Sequence, residues 1–181
     1  MNEDKLIRQC KSGSRTAQRE LFDAHYRTSF RIAVRYLGNH HDAEDVVADA
    51  FIRVFNGLHT FDVRTEGSLG RWIHTLVINE SLRFLKRRRL LVLEEDMALY
   101  DDYTPESFDA SDFDAEQIHQ VLTTMPAGYR TVFNLYAIEG FSHKEIAQLI
   151  GISETTSRSQ LCKARSFIIQ RITNNVSHEN V

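Results

Sequence analysis

Three polar side chains near the C-terminal end of the chain have the types and spacing needed to read base edges in DNA. Thr155, Arg158 and Ser159 occupy positions i, i+3 and i+4, so they share one stripe of a helix. An arginine fork pairs with guanine in the major groove, and hydroxyl groups bond to several bases. Lys163 and Arg165 come later and diverge from that stripe, which suits phosphate contacts. The pattern predicts a surface for duplex DNA formed by Thr155, Thr156, Arg158, Ser159, Lys163 and Arg165.

A helix-turn-helix is the element that would present this surface. Ser142 and Glu145 have the spacing of a capping box at the start of a first short helix. Gly151 is suited to the left-handed backbone that ends such a helix, and Ser153 can cap a second one. A helical hairpin that merely packs usually exposes both signs of charge, whereas the outward side of this second helix has no acidic residue beyond Thr155. We therefore expect DNA binding, although one motif does not distinguish a repressor from an activator or another DNA-binding protein.

The composition is typical of a soluble helical protein. Hydrophobic residues make up 42% and charged residues 26%, with only 2 prolines and 8 glycines. No apolar run is long enough to cross a bilayer, and the N-terminus lacks the form of a signal peptide, so we expect a cytoplasmic protein without membrane insertion. Cys10 and Cys162 are isolated, which argues against disulfides and structural zinc. Adjacent His40 and His41 cannot share one helix face as metal ligands, so we interpret them as a polar turn and expect no metal or cofactor.

The net charge of -3 is distributed unevenly along the chain. Residues 1–90 contain 16 Lys or Arg against 11 Asp or Glu, and residues 118–181 contain 6 against 4. Residues 91–117 contain 10 acidic residues and no basic one. Residues 91–113 also lack sustained periodicity, which indicates an acidic, flexible linker. The sequence therefore predicts an all-α protein with two small helical domains, 1–90 and 114–181, the second containing the helix-turn-helix.

Helical periodicity continues through the first of these domains. Apolar positions recur from Thr16 to Leu37, and a second amphipathic helix over Asp42–Phe55 has an inward set of Ala43, Val47, Ala50, Phe51 and Val54. A loop over Gly57–Gly70 precedes a longer helix, Arg71–Leu85, which ends in the basic run Lys86–Arg89. One or two cations would be enough to offset a helix dipole. Four in succession indicate contact with a polyphosphate.

Four passages in this order resemble a bacterial extracytoplasmic-function (ECF) sigma factor of the sigma-70 family. Asp42–Phe51 is similar to the family's polymerase-core-binding helix, and Phe61–Asn79 to its promoter-melting loop and helix. Met125–Phe133 looks like the beginning of its second domain, and Ile146–Arg165 like its helix-turn-helix. Three positions depart from the family's pattern, which often has Gln, an aromatic residue and Val where this chain has Ala48, Leu69 and Ser157.

The resemblance implies a non-enzymatic factor that binds core RNA polymerase and directs promoter recognition and opening in transcription initiation. The implied contacts with core polymerase are made by Asp42, Asp45, Asp49 and Arg53. The implied contacts with melted, single-stranded promoter DNA are made by Phe61, Glu66, Ser68, Trp72, Asn79, Lys86, Arg87, Arg88 and Arg89. The implied partners are core RNA polymerase, promoter DNA and an anti-sigma factor.

Two other classes of protein remain as alternatives. A stand-alone helix-turn-helix transcriptional regulator would carry an N-terminal sensing domain, and such domains usually alternate strands with helices, whereas residues 16–90 show helical spacing throughout. A helical-bundle enzyme would need converging ligands such as paired Glu-x-x-His motifs, which the sequence lacks. A regulator binds duplex DNA alone, while a sigma factor binds promoters well only with core polymerase, so dependence on polymerase separates the first two classes.

Overall fold

A computed structural model describes residues 3–62, 65, 67–88 and 115–178, without the side chains of 115–117, 119 and 173–178. These residues form helices and connecting turns with no strand among them, as the sequence predicts. The chain divides into two compact units, one ending at Phe84 and the other beginning at Leu85, and each is described by itself. No helix in the described ranges is long and apolar enough to cross a membrane. The predicted linker at residues 91–113 lies outside the described residues, so the predicted domain bounds remain predictions.

The described residues of the first unit form three α-helices and most of a fourth, whose last residues, from Leu85, belong to the second unit. The helices are α1 (Glu3–Lys11), α2 (Arg15–Leu37), α3 (His40–Gly57) and α4 (Ser68–Arg87), with a 3-10 turn at Leu58–Thr60 after α3. Asn39 caps α3, because its side chain accepts a hydrogen bond from the Asp42 amide. His40 and His41 therefore begin α3, and their interpretation as a turn was wrong. The loop prediction was also too long at its end, since Ser68 already belongs to α4.

The core of the first unit forms mainly where α2 packs against α3. Every residue of the predicted inward set of α3 is at most 2% exposed, which confirms that prediction. Phe22 meets Phe51 edge to face, with ring centroids 4.7 Å apart. Complete burial of an aromatic or aliphatic side chain contributes about 1.5–3 kcal/mol, so this set fixes which side of α3 faces solvent.

Residues 115–178, the described part of the second unit beyond α4, form four further helices. They are α5 (Ala115–Thr124), α6 (Ala127–Phe133), α7 (His143–Ile150) and α8 (Glu154–His178), with a π-helical turn at Asn134–Ile138 after α6. Arg130 of α6 is buried, and its Nη1 donates hydrogen bonds to the carbonyls of Leu122, Thr123 and Met125 at 3.2, 3.3 and 2.9 Å. Burial lowers the pKa of Arg130 to about 10. The guanidinium thus satisfies carbonyl groups at the end of α5 and joins α5 to α6.

Candidate nucleic-acid interface

The helix-turn-helix of the second unit is formed by α7 and α8. Ser142 and Glu145 form the predicted capping box, in which the Glu145 amide donates to Ser142 Oγ and the Ser142 amide donates to Glu145 Oε2. Gly151 ends α7 with a φ of 79°, the left-handed conformation predicted for it. The apolar side of α8 packs inward, since Leu161, Ala164 and Ile168 are buried. The two helices are therefore joined by a turn with little freedom.

The first turns of α8 carry the predicted base-reading residues. Ser153 caps the helix by accepting from the Thr156 amide at 2.9 Å, and the two hydroxyl groups lie 2.8 Å apart. The hydroxyl of Thr156 is thereby engaged within the cap. Thr155, Arg158 and Ser159 are exposed, and Arg158 pairs with Glu154 one turn earlier at 3.6 Å. An exposed ion pair of this kind is weak, so it leaves the guanidinium on the stripe and accessible to solvent.

The structure corrects the position of Lys163. This residue is only 6% exposed, and its Nζ lies over the Tyr129 ring at 5.9 Å from the centroid. The angular divergence from the reading stripe was predicted, but it turns Lys163 into the unit instead of towards a DNA backbone. Arg165 is half-buried. Phosphate contact by Lys163 is therefore not available in this conformation.

A polar contact between α7 and α8 lies directly behind the reading stripe. Ser157 is fully buried, and its Oγ lies 2.9 Å from His143 Nδ1. The His143 ring also stacks on Tyr136, with centroids 4.6 Å apart. Burial lowers the pKa of His143, the charges of Arg158 and Arg165 lower it further, and Glu154 opposes them. Ser157 departs from the family's pattern in the sequence, but no signal in the sequence pairs it with His143, which becomes its partner only in the folded protein.

In the first unit, an aromatic pair stands at the beginning of α4. The rings of Phe61 and Trp72 stack with centroids 4.7 Å apart and an interplanar angle of 28°. Gly57 lies against the indole, because a Cβ at this position would come within 2.9 Å of Trp72 Cζ2. Asn79 follows Trp72 by seven residues and therefore lies on the same side of α4. Aromatic side chains are the usual stacking partners of unpaired bases.

The other residues predicted to contact single-stranded DNA differ in their accessibility. Lys86, Arg87 and Arg88 are exposed at the end of α4. The hydroxyl oxygen of Ser68 is buried, which removes that group from a DNA surface in this conformation. Glu66 and Arg89 lie outside the described residues. Leu69, where an aromatic residue is common in the family, is 1% exposed and belongs to the core.

The predicted polymerase-binding side of α3 contains two exposed carboxylates and an apolar residue that the sequence analysis missed. Asp45 and Asp49 are exposed, and Ile52 lies on the same side with 59% exposure. Asp42 also accepts a hydrogen bond at 2.7 Å from the capping residue, Asn39. Arg53 forms an ion pair with Glu80 of α4. Contacts within the unit therefore engage Asp42 and Arg53, while Asp45, Asp49 and Ile52 project into solvent.

Two family models match the chain in the order that the sequence analysis expected. The sigma-70 region 2 model matches residues 21–90, so α1 and the beginning of α2 precede it. The sigma-70 region 4 model matches residues 115–168, which include the helix-turn-helix. The two matches together cover more than half of the chain.

Two curated relatives that the chain resembles are ECF sigma factors. The chain is 32% identical to ECF RNA polymerase sigma factor SigE of Mycolicibacterium smegmatis over 156 residues, which are 81% of this chain and 58% of SigE. It is 26% identical to ECF RNA polymerase sigma factor SigW of Bacillus subtilis over 180 residues, covering 93% of this chain and 95% of SigW. The chain thus spans less than two thirds of SigE and nearly all of SigW.

A solved structure supports the same fold. The sigma factor RpoE of Bartonella quintana, crystallised with the anti-sigma factor NepR, aligns with a TM-score of 0.50 at 19% identity. The alignment covers 86% of this chain and 96% of the RpoE chain. At this identity the similarity bears on the fold alone. The two family matches in their order, together with relatives that are ECF sigma factors, show that the chain belongs to the ECF group of the sigma-70 family.

Proposed function

We propose that this protein is a non-enzymatic initiation factor that binds core RNA polymerase and directs it to recognise and open promoters. The observation that carries the proposal is the presence of two different candidate surfaces for nucleic acid in one chain. One is the Phe61–Trp72 pair for unpaired bases, and the other is the exposed stripe of α8 for duplex DNA. A stand-alone regulator needs only the second surface.

Core polymerase is the proposed partner of the exposed side of α3. Asp45 and Asp49 offer carboxylates to a basic surface, and Ile52 lies beside Asp45 in projection along the helix axis, about one turn beyond Asp49. A large exposed apolar side chain among charges is typical of the centre of a protein–protein interface. Because Arg53 forms an ion pair with Glu80, we propose that Arg53 mainly stabilises the fold and does not contact core polymerase.

Promoter opening is the proposed role of the aromatic pair and of the adjoining surface of α4. An unstacked base gains about 1–3 kcal/mol by stacking on an aromatic side chain. Asn79 adds an amide that hydrogen-bonds to base edges, and Lys86, Arg87 and Arg88 add charges for the backbone. Arg83 is a further exposed cation of α4 that the sequence analysis missed, and Glu80 neutralises part of its charge.

Duplex recognition is the proposed role of Thr155, Arg158 and Ser159 at the beginning of α8. Recognition helices present their N-terminal turns to base edges, and these three side chains are exposed there. Arg158 is the proposed guanine reader, because its two parallel donors match the acceptors of that base. Arg165 remains a candidate phosphate contact, and Lys163 does not.

An anti-sigma factor is the proposed regulatory partner. The RpoE structure contains such an inhibitor, and in this chain Ile52, Tyr136 and Ile138 are large apolar side chains that remain exposed. An inhibitor that covered Ile52 would compete directly with core polymerase for α3. A factor with these partners acts in the cytoplasm, where core polymerase and the promoter are found.

Transcription in vitro tests the proposal. Purified full-length protein is combined with core polymerase and a library of promoter fragments, and transcripts are sequenced. We expect a discrete set of promoters to produce transcripts only when protein and core are both present. The protein carrying Trp72→Ala should bind the same fragments with core but open them less. Tight, specific binding to duplex DNA by the protein alone, with no transcripts in the presence of core, would instead establish the stand-alone regulator.

A further inference from the structure

The first helix of the chain makes polar contacts at both ends of the region that carries the aromatic pair. At the C-terminal end of α1, Lys11 Nζ donates a hydrogen bond to the Phe61 carbonyl at 2.9 Å. At its N-terminal end, the Glu3 carboxylate accepts from the Leu69 amide at 3.1 Å and from the Gly67 amide at 3.3 Å. These bonds join residues that are 50, 66 and 64 positions apart in the chain.

Each contact lies directly beside one member of the aromatic pair. Lys11 bonds to the backbone of Phe61 itself. Glu3 binds the amides at the beginning of α4, where backbone N–H groups lack helical partners and the helix dipole favours a negative charge. Leu69 is three residues before Trp72, so the bond fixes the turn from which the indole projects. Both rings are thus positioned from α1.

The remainder of α1 is built to keep these two side chains in place. Leu6, Ile7 and Cys10 are buried, and the helix packs against α2 and the 3-10 turn at Leu58–Thr60. Eight residue steps at 1.5 Å separate Glu3 from Lys11, which places their backbones about 12 Å apart along the axis of a rigid element. A short helix anchored by apolar contacts therefore holds a cation at one end and an anion at the other.

We infer that α1 is a brace for the single-strand DNA surface. Glu3 and Lys11 are positioning residues that hold the rings of Phe61 and Trp72 stacked in a fixed relative position. The inference rests on the proposed function, because it assigns a purpose to the brace only if the aromatic pair binds unpaired bases. Preorganisation lowers the cost of capturing a base, since the two rings need no further ordering when it arrives. Neither Glu3 nor Lys11 touches the DNA in this proposal.

The test uses Glu3→Gln and Lys11→Met in the full-length protein bound to core polymerase. The probes are a fork-junction version of a promoter recovered from the library, with the melted segment single-stranded, and the upstream duplex of the same promoter. We expect affinity for the fork to fall about fivefold in each variant, the effect of losing one charge-assisted hydrogen bond in a half-exposed position. Affinities for the upstream duplex and for core should stay at the wild-type values. Lys11→Arg, which keeps a cationic donor, should restore binding to the fork.

Two matched controls lie on the exposed side of the same helix. Asp4→Asn removes a negative charge next to Glu3, and Arg8→Met removes a positive charge one turn before Lys11. Both should behave as wild type. The chain has a single tryptophan, so acrylamide quenching gives a spectroscopic check that needs no DNA. Glu3→Gln and Lys11→Met should leave Trp72 more accessible to the quencher, and the two controls should not.

Three results would overturn the inference. Wild-type binding to the fork by both variants, while Trp72→Ala is impaired, would refute the brace and leave the proposed function intact. An equal loss of fork, duplex and core binding would reduce α1 to an element of general stability. If Trp72→Ala itself binds the fork normally, the aromatic pair is not the single-strand surface, and the brace loses its purpose together with that assignment.

Discussion

Arg53 forms an ion cluster with Glu80 and Arg83. We therefore predict that Arg53 stabilises the fold and is not a contact with core polymerase. Glu80 is 8% exposed at its side chain and meets both arginines, with Arg83 Nη1 at 2.8 Å from Glu80 Oε1. The arginine side chains are 49% and 59% exposed, so solvent screens each pair and its contribution is smaller than that of a buried bridge. We therefore expect Arg53→Met to lower the free energy of unfolding by only about 1 kcal/mol, because Arg83 still compensates Glu80.

Removing both arginines should have a larger effect than the two single changes added together. The double variant leaves a nearly buried carboxylate without either cation, and breaking a buried pair costs about 3–5 kcal/mol. With half-exposed arginines the loss should lie near about 3 kcal/mol. If each single substitution costs about 1 kcal/mol, the coupling between the two is about 1 kcal/mol. Adding Glu80→Gln to the double variant should recover part of the stability, because it removes the uncompensated charge.

Urea unfolding followed by tryptophan fluorescence measures these changes in the first unit, since the only tryptophan of the chain is Trp72. Core binding is measured in parallel by fluorescence anisotropy of the labelled protein. Arg53→Met should shift the unfolding midpoint and leave affinity for core polymerase within about twofold of wild type, a difference of about 0.4 kcal/mol. The reasoning is refuted if Arg53→Met unfolds like wild type and loses core affinity, because Arg53 would then be a polymerase contact.

Three further predictions concern the other surfaces. Asp45→Arg combined with Asp49→Arg should weaken core binding at least about tenfold without moving the unfolding midpoint, since like charges at an interface repel strongly and neither residue packs in the core; unchanged affinity in a pull-down would contradict this. Arg158→Ala should cost about 1–3 kcal/mol at promoters with one particular upstream base pair, whereas Lys163→Ala should lower thermal stability by about 1 kcal/mol and leave the salt slope of binding unchanged. A uniform loss across the promoter library for Arg158→Ala would show that it contacts only the backbone. Folding lowers the pKa of His143 from the usual 6.5, so the second unit should lose stability as the pH falls from 6.5 through the lowered value. His143→Gln should flatten this dependence of stability on pH, as measured by urea titrations followed by circular dichroism.

The sequence by itself determined most of the helices, the presence of a helix-turn-helix and the caps of that motif. The capping box of Ser142 and Glu145, the left-handed Gly151 and the buried side of α3 all rest on residues within a turn or two of one another. Such interactions do not depend on where the rest of the chain lies, so periodicity and local hydrogen-bonding chemistry predict them. The errors at His40 and at Ser68 are errors of a few residues at helix ends, where local signals are weakest.

Only the tertiary structure decided which polar side chains remain available for partners. Lys163 and Ser68 have suitable types and positions in the sequence. In the folded protein, however, packing buries the side chain of Lys163 and the hydroxyl group of Ser68. Arg53 lies on the exposed side of α3 and still forms an ion pair with Glu80, which is 27 residues away. The contacts of α1 with Phe61 and Leu69 join still more distant parts of the chain. A helical pattern specifies the direction of a side chain from its own axis, whereas its exposure and its bonding partner depend on which other element the fold brings there.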